Sequence, residues 1–386
     1  MTDRTETKRI IGEVLSEIIE EARSGCGKRV RIGLMAHGSE LGGEELLRGA
    51  RLAMEDDPAL VVVPIGPKAE GYGDMDWIET PACDADVARA MENALAAGTI
   101  AGAVALHYPF PLGVTTIGKV LTPARGKPCF IASSTGTSSP ARVEAMLRNA
   151  IYGIAVAKAD GISDPTVGIL NLDGAQTVLR ALQKLSSGGY KINFAASIRK
   201  DGGPILRGND ILAGSADVCV TDTLTGNVLM KLFAAWNTGG DYEALGWGYG
   251  PSAGDGWDKV VSIISRASGA PVIAKALSLN AKCVKNALPS IVAKEMSLAK
   301  KAGLLEIIES LQPKKDVEDD VKAPPSEPTD EEIHGIDVLE IENAVKALWK
   351  EGIYAESSMG CTGPVIKMSA KNVERAQTVL RERGYL

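Results

Sequence analysis

Residues 216–231 read Ala-Asp-Val-Cys-Val-Thr-Asp-Thr-Leu-Thr-Gly-Asn-Val-Leu-Met-Lys. The first half has the apolar composition of a buried strand that ends in an acid, Asp222. A turn with Thr225, Gly226 and Asn227 then opens a helix. A glycine at this turn lets backbone amides approach a phosphate or a thioester carbonyl, as an oxyanion site requires.

The same unit of a strand followed by a helix recurs along most of the chain. Short apolar runs that end in small or polar residues lie at 30–36, 60–65, 101–106, 129–132, 167–172, 192–198 and 218–221. Helical stretches are predicted at 43–55, 85–97, 113–122, 140–159, 175–187 and 224–237. This alternation predicts an α/β fold, a three-layer α/β/α sandwich around a mainly parallel sheet.

Ligands of such folds bind at the carboxyl ends of the strands, which define a predicted site face. This face comprises the loops at 37–39, 107–109, 133–139, 171–174 and 222–227. The loop best suited to an anion reads Ser133-Ser134-Thr135-Gly136-Thr137-Ser138-Ser139-Pro140-Ala141-Arg142. Hydroxyl groups, free amides at a helix start and an arginine together suit a phosphate. An ordinary polar loop with a good helix cap is the alternative.

The three histidines are further candidates for acid–base chemistry, because the pKa of histidine lies near neutral pH. His37 and His107 follow apolar strands, where a histidine can act as general base or hydrogen-bond a phosphate oxygen. Capping of a strand end is the alternative for each of them. His334 lies beside a charged segment, and we predict that it is solvated.

The composition of the 386 residues argues against several classes of function. A net charge of −7 without a basic run predicts no nucleic-acid partner. No apolar run is long enough to span a bilayer and no signal core follows the N-terminus, which predicts a soluble cytoplasmic protein. The cysteines lack metal-ligand spacing, which argues against a zinc site. The residues as a whole require no metal or organic cofactor. The cysteines are Cys26, Cys83, Cys129, Cys219, Cys283 and Cys361.

Three segments depart from the alternating pattern. Residues 1–29 contain a predicted amphipathic helix at 7–23 that would cover the core or meet a partner subunit. The Gly- and aromatic-rich residues 239–256 predict an ordered loop, either a lid or a subunit contact. Residues 313–335 are charged and Pro-rich and are predicted to be a mobile insertion. The predicted α/β domain comprises residues 30–312 and, as its C-terminal part, 336–386.

Cys361 is the candidate nucleophile. Residues 356–372 around it read Glu-Ser-Ser-Met-Gly-Cys-Thr-Gly-Pro-Val-Ile-Lys-Met-Ser-Ala-Lys-Asn, and a strand and then a helix from Asn372 are predicted to follow the cysteine. Small neighbours predict a tight turn with little bulk around the sulfur. Lys367 and Arg375 are close in sequence, and a nearby cation lowers a cysteine pKa and favours the thiolate. The alternative is a small residue that only fills a turn.

These residues carry a resemblance to known enzymes. Residues 222–231, with the pattern Asp-x-x-Thr-Gly-Asn-Val-x-x-Lys, resemble the signature of the phosphate acyltransferases of phospholipid synthesis and a segment of phosphate acetyltransferases. Residues 164–171 and 363–367 resemble further strands of that acyltransferase fold. The resemblance implies their α/β/α architecture, which is similar to that of isocitrate dehydrogenases. Two departures stand out: His-Gly-Ser-Glu at 37–40 replaces a Gly-Gly-Asp turn, and Cys361 has no counterpart in those acyltransferases.

The whole chain is most similar to the family of alpha subunits of component C of the glycine, sarcosine and betaine reductase complexes. In that family a cysteine in a Ser-Met-Gly-Cys-Thr-Gly-Pro stretch holds an acetyl group, and the product is acetyl phosphate. Carried over, the acetyl carrier here is Cys361. The resemblance also implies a hetero-oligomer with a beta subunit of component C, similar to a ketoacyl synthase, and transient contact with a selenoprotein A.

The resemblance and the residues together predict phosphorolysis of a thioester: inorganic phosphate attacks an acetyl group held on a cysteine. The predicted catalytic residues are Cys361, Asn227 and His107. The predicted phosphate-binding residues are Ser133, Ser134, Thr135, Gly136, Thr137, Ser138, Arg142, Asp222, Thr225, Gly226, Lys231 and Lys367. Two alternatives stay open, a direct phosphate acyltransferase that uses acyl carrier protein or coenzyme A, and a non-catalytic partner subunit.

Overall fold

The computed structural model describes residues 29–199, 203–311, 321–334, 336, 341–360 and 363–386. The predicted N-terminal helix at 7–23, residues 312–320 of the charged segment, and Cys361 lie outside the described residues. Within them, a 12-stranded sheet forms the main body of the protein, and a separate 3-stranded sheet lies near the C-terminus.

The elements are numbered in chain order. The strands are β1 Val30–Met35, β2 Leu60–Gly66, β3 Ile78–Glu79, β4 Gly102–Ala105, β5 Val114–Leu121, β6 Pro128–Gly136, β7 Thr166–Leu170, β8 Asn193–Phe194, β9 Ile205–Leu206, β10 Val218–Val220, β11 Gly250–Gly254, β12 Val261–Ile263, β13 Glu331–Ile333, β14 Ala355–Gly360 and β15 Gly363–Met368. The α-helices are α1 Gly43–Asp56, α2 Asp84–Ala96, α3 Arg142–Ala159, α4 Ala175–Ser187, α5 Gly208–Ala213, α6 Thr223–Ala234, α7 Ala270–Lys285, α8 Leu288–Lys301, α9 Leu304–Leu311, α10 Ile341–Lys350 and α11 Val373–Glu382. These elements confirm the predicted α/β class, with a mostly parallel mixed sheet between helices.

The large sheet contains two parallel groups of strands that run in opposite directions. Its order is β3-β2-β1-β4-β12-β11-β5-β6-β10-β7-β8, and β9 also pairs with β7. Strand β11 is antiparallel to both β12 and β5, and β5 is antiparallel to β6. The other pairings within the sheet are parallel. The carboxyl ends of the two groups therefore point in opposite directions along the sheet.

Two other predictions fail at the centre of the sheet. The predicted helix at 113–122 is strand β5, whose β-branched residues Val114, Thr115, Thr116 and Ile117 are all buried. Gly118 of this strand packs under helix α6, because an added Cβ would lie 2.5 Å from the sulfur of Met230. The segment at 239–256 is not only a loop, since it contains β11 in the middle of the sheet.

The packing of the core explains why the sequences of the strands in the large sheet are continuous apolar runs. Both faces of the sheet are covered, so residues such as Ile32, Leu34 and Ile131 are fully buried. Helix α1 packs closely against α7, where a Cβ on Gly49 would lie 2.6 Å from Ile273. A glycine at this position therefore lets the two helices approach each other.

The C-terminal residues form a unit with its own sheet and apolar cluster. Strands β13, β14 and β15 pack on helices α10 and α11, and the cluster includes Ile333, Ile341, Leu348 and Leu380. Strand β13 pairs with β15, so 331–333 are not part of a mobile insertion. The strand and the helix predicted after Cys361 are confirmed as β15 and α11.

Candidate active site

The main candidate site is a cavity of about 430 Å³ between the two groups of strands. Its polar lining includes Glu40, His107, Thr135, Asn227, Lys231 and Arg266. Its apolar lining includes Leu106, Tyr108, Phe110, Tyr249, Ile264 and Met359. The lining comes from the ends of β6 and β12, the loops that follow β1, β4 and β12, helix α6, Tyr249 just before β11, and the C-terminal unit. The cavity combines apolar walls with a few polar groups, as ligand sites commonly do.

The turn at the start of α6 is held by a carboxylate. Asp222 caps the helix, because its side chain accepts hydrogen bonds from the Thr225 amide at 2.9 Å and the Thr225 hydroxyl at 3.0 Å. Arg142 donates a further hydrogen bond to Asp222 at 2.8 Å. Burial by itself would raise the pKa of Asp222, but these hydrogen bonds lower it below its usual value. Asp222, Thr225 and Arg142 thus fix the turn and do not line the cavity.

Gly226 brings helix α6 unusually close to strand β6. A Cβ at this position would lie 1.7 Å from the carbonyl oxygen of Ser133, so no larger residue fits. This approach allows the Asn227 side chain to donate a hydrogen bond from Nδ2 to the Ser134 carbonyl at 3.0 Å. Asn227 lines the cavity with one of its two amide hydrogens committed to this bond.

Most of the predicted phosphate loop is internal. Ser133, Ser134 and Ser138 are buried. Their hydroxyls are engaged with Thr223 Oγ1 at 2.8 Å, the Tyr249 carbonyl at 2.6 Å and Asn149 Oδ1 at 2.6 Å, respectively. These hydroxyls hold β6 in place between α6, β11 and α3.

Only two residues of that loop reach the cavity. Thr135 lines it, although its hydroxyl also shares a hydrogen bond with Thr116 at 2.7 Å. Gly136 lines it with a positive φ of 73°, which favours glycine. Thr137 is buried, and its amide donates to the Val114 carbonyl at 3.1 Å. A phosphate role for this segment is therefore restricted to Thr135 and Gly136.

His107 is the titratable group at the end of β4. Its Nδ1 atom is enclosed and has no hydrogen-bond partner among the described residues. Burial lowers the pKa of His107; Asp84 opposes this effect and Arg266 adds to it. The imidazole therefore favours its neutral form, in which one ring nitrogen can accept a proton. His37 lies elsewhere, 3.6 Å from Asp84 and in a separate cavity of about 610 Å³.

Lys231 stands at the edge of the cavity with two residues that sequence analysis missed. Its Nζ lies 3.9 Å from Glu243 Oε1 and 5.6 Å from the centre of the Tyr249 ring. Glu243 is buried and accepts hydrogen bonds from the Tyr249 hydroxyl at 2.9 Å and the Ser268 hydroxyl at 3.1 Å. Burial raises the pKa of Glu243, although these partners counteract the effect. This carboxylate holds Tyr249 and Lys231 in position.

Arg266 and Glu40 were also missed. The signal for Arg266 was present, because an apolar run at 260–264 is followed by Ser265 and Arg266, like the other strand ends. In the structure Arg266 lies 3.8 Å from Asp84, and its carbonyl accepts a hydrogen bond from the Glu40 amide at 2.8 Å. The predicted loop at 171–174 is absent from the cavity lining; Asn171 instead lines another cavity of about 280 Å³.

The C-terminal unit contributes Met359 to the cavity. Lys367, predicted to bind phosphate, lies 3.4 Å from Glu332 on the neighbouring strand and does not line the cavity. The predicted nucleophile Cys361 lies outside the described residues.

The described cysteines differ in exposure. Cys129, Cys219 and Cys283 are buried, and burial raises the pKa of each thiol, to about 12 for Cys129 and Cys283. They are therefore poor nucleophiles at neutral pH. Cys283 lies in the last turn of α7. Cys83 is exposed and precedes α2.

Comparison with known proteins decides the family. The model of the fatty acid synthesis protein family matches residues 30–367. The glycine/sarcosine/betaine reductase complex component C subunit alpha of Peptoclostridium acidaminophilum is 48% identical over 384 residues, which cover 98% of this chain and 99% of that protein. The chain belongs to the component C alpha-subunit family. The resemblance predicted from the sequence is thereby confirmed.

More distant relatives of this component C alpha-type chain are acyltransferases. A phosphate acyltransferase of Phenylobacterium zucineum is 32% identical over 114 residues, 28% of this chain and 30% of that protein. The solved branched-chain phosphotransacylase from Enterococcus faecalis V583 aligns with a TM-score of 0.48 at 14% identity, over 66% of this chain and 99% of that one.

The described residues lack two features, a membrane-spanning helix and a metal-binding cluster. None of their helices is both long and apolar enough to cross a membrane. They also contain no group of three or more His, Cys, Asp or Glu side chains arranged to hold a metal ion.

Proposed function

We propose that this component C alpha-type chain transfers an acetyl group from a thioester on Cys361 to inorganic phosphate and releases acetyl phosphate. This would be the last step of a glycine, sarcosine or betaine reductase. Family membership and the acyltransferase relatives support the coarser statement, a role in acyl transfer to phosphate. The partners are the beta subunit of component C and, transiently, selenoprotein A.

Met359 is the observation that carries the proposal. It lines the same cavity as Asn227, Lys231 and His107, and it lies two residues before Cys361 in the chain. A thioester on Cys361 therefore needs little chain to reach the polar groups of the cavity, since one residue spans at most about 3.6 Å. Lys367 is paired outside the cavity, so Lys231 is the cation that we assign to phosphate.

The proposed step is an addition to the thioester carbonyl followed by loss of sulfur. A phosphate oxygen forms a bond to the carbonyl carbon, the C–S bond breaks, and Cys361 leaves as thiolate with the electron pair. The second amide hydrogen of Asn227 stabilises the oxyanion that forms in between. Neutral His107 accepts the proton of the attacking phosphate. Removal of one oxyanion donor costs about 3 kcal/mol in other acyl-transfer enzymes, so Asn227→Ala should lower the turnover about a hundredfold.

The test is mass spectrometry of the chain, alone and with its beta subunit, after incubation with acetyl phosphate. Peptide mapping should find acetyl on Cys361, released by hydroxylamine and lost when phosphate is added. Cys361→Ser should abolish both labelling and turnover. The matched control is Cys83→Ser, because Cys83 is the exposed thiol among the described cysteines and lines none of the cavity; it should behave like the wild type.

Two results would replace the proposal. Acetyl exchange with phosphate that persists in Cys361→Ser, without any label on the protein, would mean direct transfer from acyl carrier protein or coenzyme A. Absence of phosphate-dependent acyl turnover in the assembled complex would make the chain a non-catalytic partner subunit.

A further inference from the structure

The cavity contains a second cation besides Lys231. Arg266 lies in the loop that follows β12 and lines the same cavity as Lys231 and His107. Among the described residues, the guanidinium of Arg266 has an ion-pair contact with Asp84 at 3.8 Å, which is beyond hydrogen-bond distance. The N–H groups of this guanidinium are therefore available to a ligand in the cavity.

The backbone of Arg266 is fixed by the loop that follows β1. The Arg266 carbonyl accepts hydrogen bonds from the Glu40 amide at 2.8 Å and from the Ser39 hydroxyl at 3.2 Å. Because binding groups held by such a supporting shell keep their geometry, Arg266 is a pre-organised part of the cavity wall.

Glu243 connects the loop of Arg266 to Lys231. The Glu243 amide donates a hydrogen bond to the Ala267 carbonyl at 2.9 Å, and the Glu243 carbonyl accepts one from the Gly269 amide at 2.8 Å. The carboxylate of the same residue lies 3.9 Å from Lys231 Nζ. One buried residue thus holds both the loop that carries Arg266 and the ammonium group of Lys231, and it sets the separation of the two cations.

Two cations of different kinds suit one phosphate ion. Phosphate near neutral pH carries more than one negative charge, so a single lysine leaves part of that charge uncompensated. Lysine supplies a point charge, whereas the planar fork of arginine donates two parallel hydrogen bonds to phosphate oxygens. Among the described residues of the lining, Lys231 and Arg266 are positive and Glu40 is negative, which leaves the lining with a net positive charge.

We propose that Arg266 and Lys231 together bind the attacking phosphate, and that the guanidinium of Arg266 orients it. This inference rests on the proposed function and deepens it, because it adds a second phosphate-binding residue from the other group of parallel strands. Lys231 lies on α6, which follows β10, whereas Arg266 follows β12. The phosphate is thereby held between the two groups, near His107, whose ring is close enough to Arg266 for the positive charge to affect its pKa.

The test measures phosphate binding apart from the chemistry. Isothermal titration calorimetry with inorganic phosphate is carried out on the full-length chain assembled with its beta subunit. Arg266→Gln should weaken phosphate binding roughly tenfold or more, because charge-assisted hydrogen bonds are lost. It should raise the phosphate concentration for half-maximal release of acetyl from Cys361 by a similar factor. Arg266→Lys, which keeps the charge but loses the fork, should bind phosphate with intermediate affinity.

Two further variants separate phosphate binding from other roles of Arg266. Asp84→Asn removes the ion-pair partner of Arg266 and should bind phosphate at least as tightly as the wild type, because a competing carboxylate is lost. Arg89→Gln is the matched control, since Arg89 is also paired with an aspartate, Asp86 at 3.3 Å, and does not line the cavity. This control should bind phosphate like the wild type.

Three results would overturn the inference. They are wild-type phosphate affinity in Arg266→Gln, an absence of phosphate binding in the wild-type complex, and equal losses of affinity in Arg266→Gln and Asp84→Asn. The last result would mean that Arg266 acts by holding Asp84. Failure to find acetyl on Cys361 would instead count against the proposed function, because the affinity for inorganic phosphate is measured without a thioester.

Discussion

Gly226→Ala offers the sharpest test of how the fold builds the site. The added Cβ would lie 1.7 Å from the Ser133 carbonyl oxygen and 2.9 Å from Thr221 Oγ1. Real Cβ atoms essentially never approach closer than 3.0 Å, so helix and strand must separate by about 1.3 Å. The atom it meets belongs to the backbone of β6, which cannot move aside as a flexible side chain would. Overpacking of this kind costs about 2–3 kcal/mol of stability.

The same displacement should impair turnover more than stability alone explains. Moving α6 stretches the hydrogen bond from Asn227 to the Ser134 carbonyl, which now measures 3.0 Å. A misplacement of about 1 Å in an active site costs roughly a hundredfold in rate. We therefore expect Gly226→Ala to be folded at 25 °C, less stable in urea denaturation, and about a hundredfold slower in phosphate-dependent acetyl transfer.

Gly208→Ala is the matched control. Gly208 opens helix α5, and an added Cβ would meet nothing within 4 Å. The same substitution there should leave turnover unchanged and alter the free energy of unfolding by less than about 1 kcal/mol, in the stabilising direction. Wild-type stability and turnover in Gly226→Ala would refute the close approach of α6 to β6 and, with it, the reason given for the position of Asn227.

Two further predictions concern the titratable side chains of His107 and Glu295. Because burial lowers the pKa of His107 from its ordinary 6.5, the unfolded chain binds the proton first on acidification, and the wild type should lose stability below about pH 6.5. The free energy of unfolding of His107→Gln should fall less over that pH range, which urea denaturation at pH 7.5, 6.5 and 5.5 would measure. Parallel plots of this free energy against pH for the variant and the wild type would contradict the prediction. Glu295 is 3% exposed and binds Lys158 at 2.6 Å and the Tyr190 hydroxyl at 2.8 Å, so Glu295→Ala should cost about 3 kcal/mol in thermal or urea unfolding. Glu309→Ala, on an exposed position of α9, should change the free energy of unfolding by less than about 0.5 kcal/mol. Equal losses of stability in both variants would contradict the stabilising role given to Glu295.

The sequence predicted the elements well where local signals suffice. Apolar runs bounded by polar residues located β1, β2, β4, β7 and β10, and the helices beside them, because the covered parallel strands need continuous apolar side chains. The prediction failed for β5 because its eight residues show no strand alternation when both faces are buried. It forms a strand through its pairing with the next strand, β6, and with β11, which is distant in sequence.

The candidate site was harder to predict because it depends on strand direction. Polar residues after strands were found at His107, Thr135 and Asn227, but a local pattern does not reveal which ends meet. The loop at 171–174 follows β7, which is parallel to β6 but lies two strands away from it, so this loop is separated from the cavity, whereas Arg266, after β12, lines it. A polar loop seen in the sequence likewise did not show that the hydroxyls of Ser133, Ser134 and Ser138 are used up inside the protein.

Gly226 is where the local pattern and the long-range geometry coincide. Its position at a helix start could be interpreted from the sequence as a place where a backbone approaches a ligand. In the structure the backbone that approaches is that of β6, and the residue that lines the cavity is the next one, Asn227. A glycine required for packing thus sets the position of a polar side chain in the cavity. The role in packing differs from the role predicted from the sequence, and a comparison of Gly226→Ala with Asn227→Ala separates the two: the first should change both stability and turnover, the second chiefly turnover.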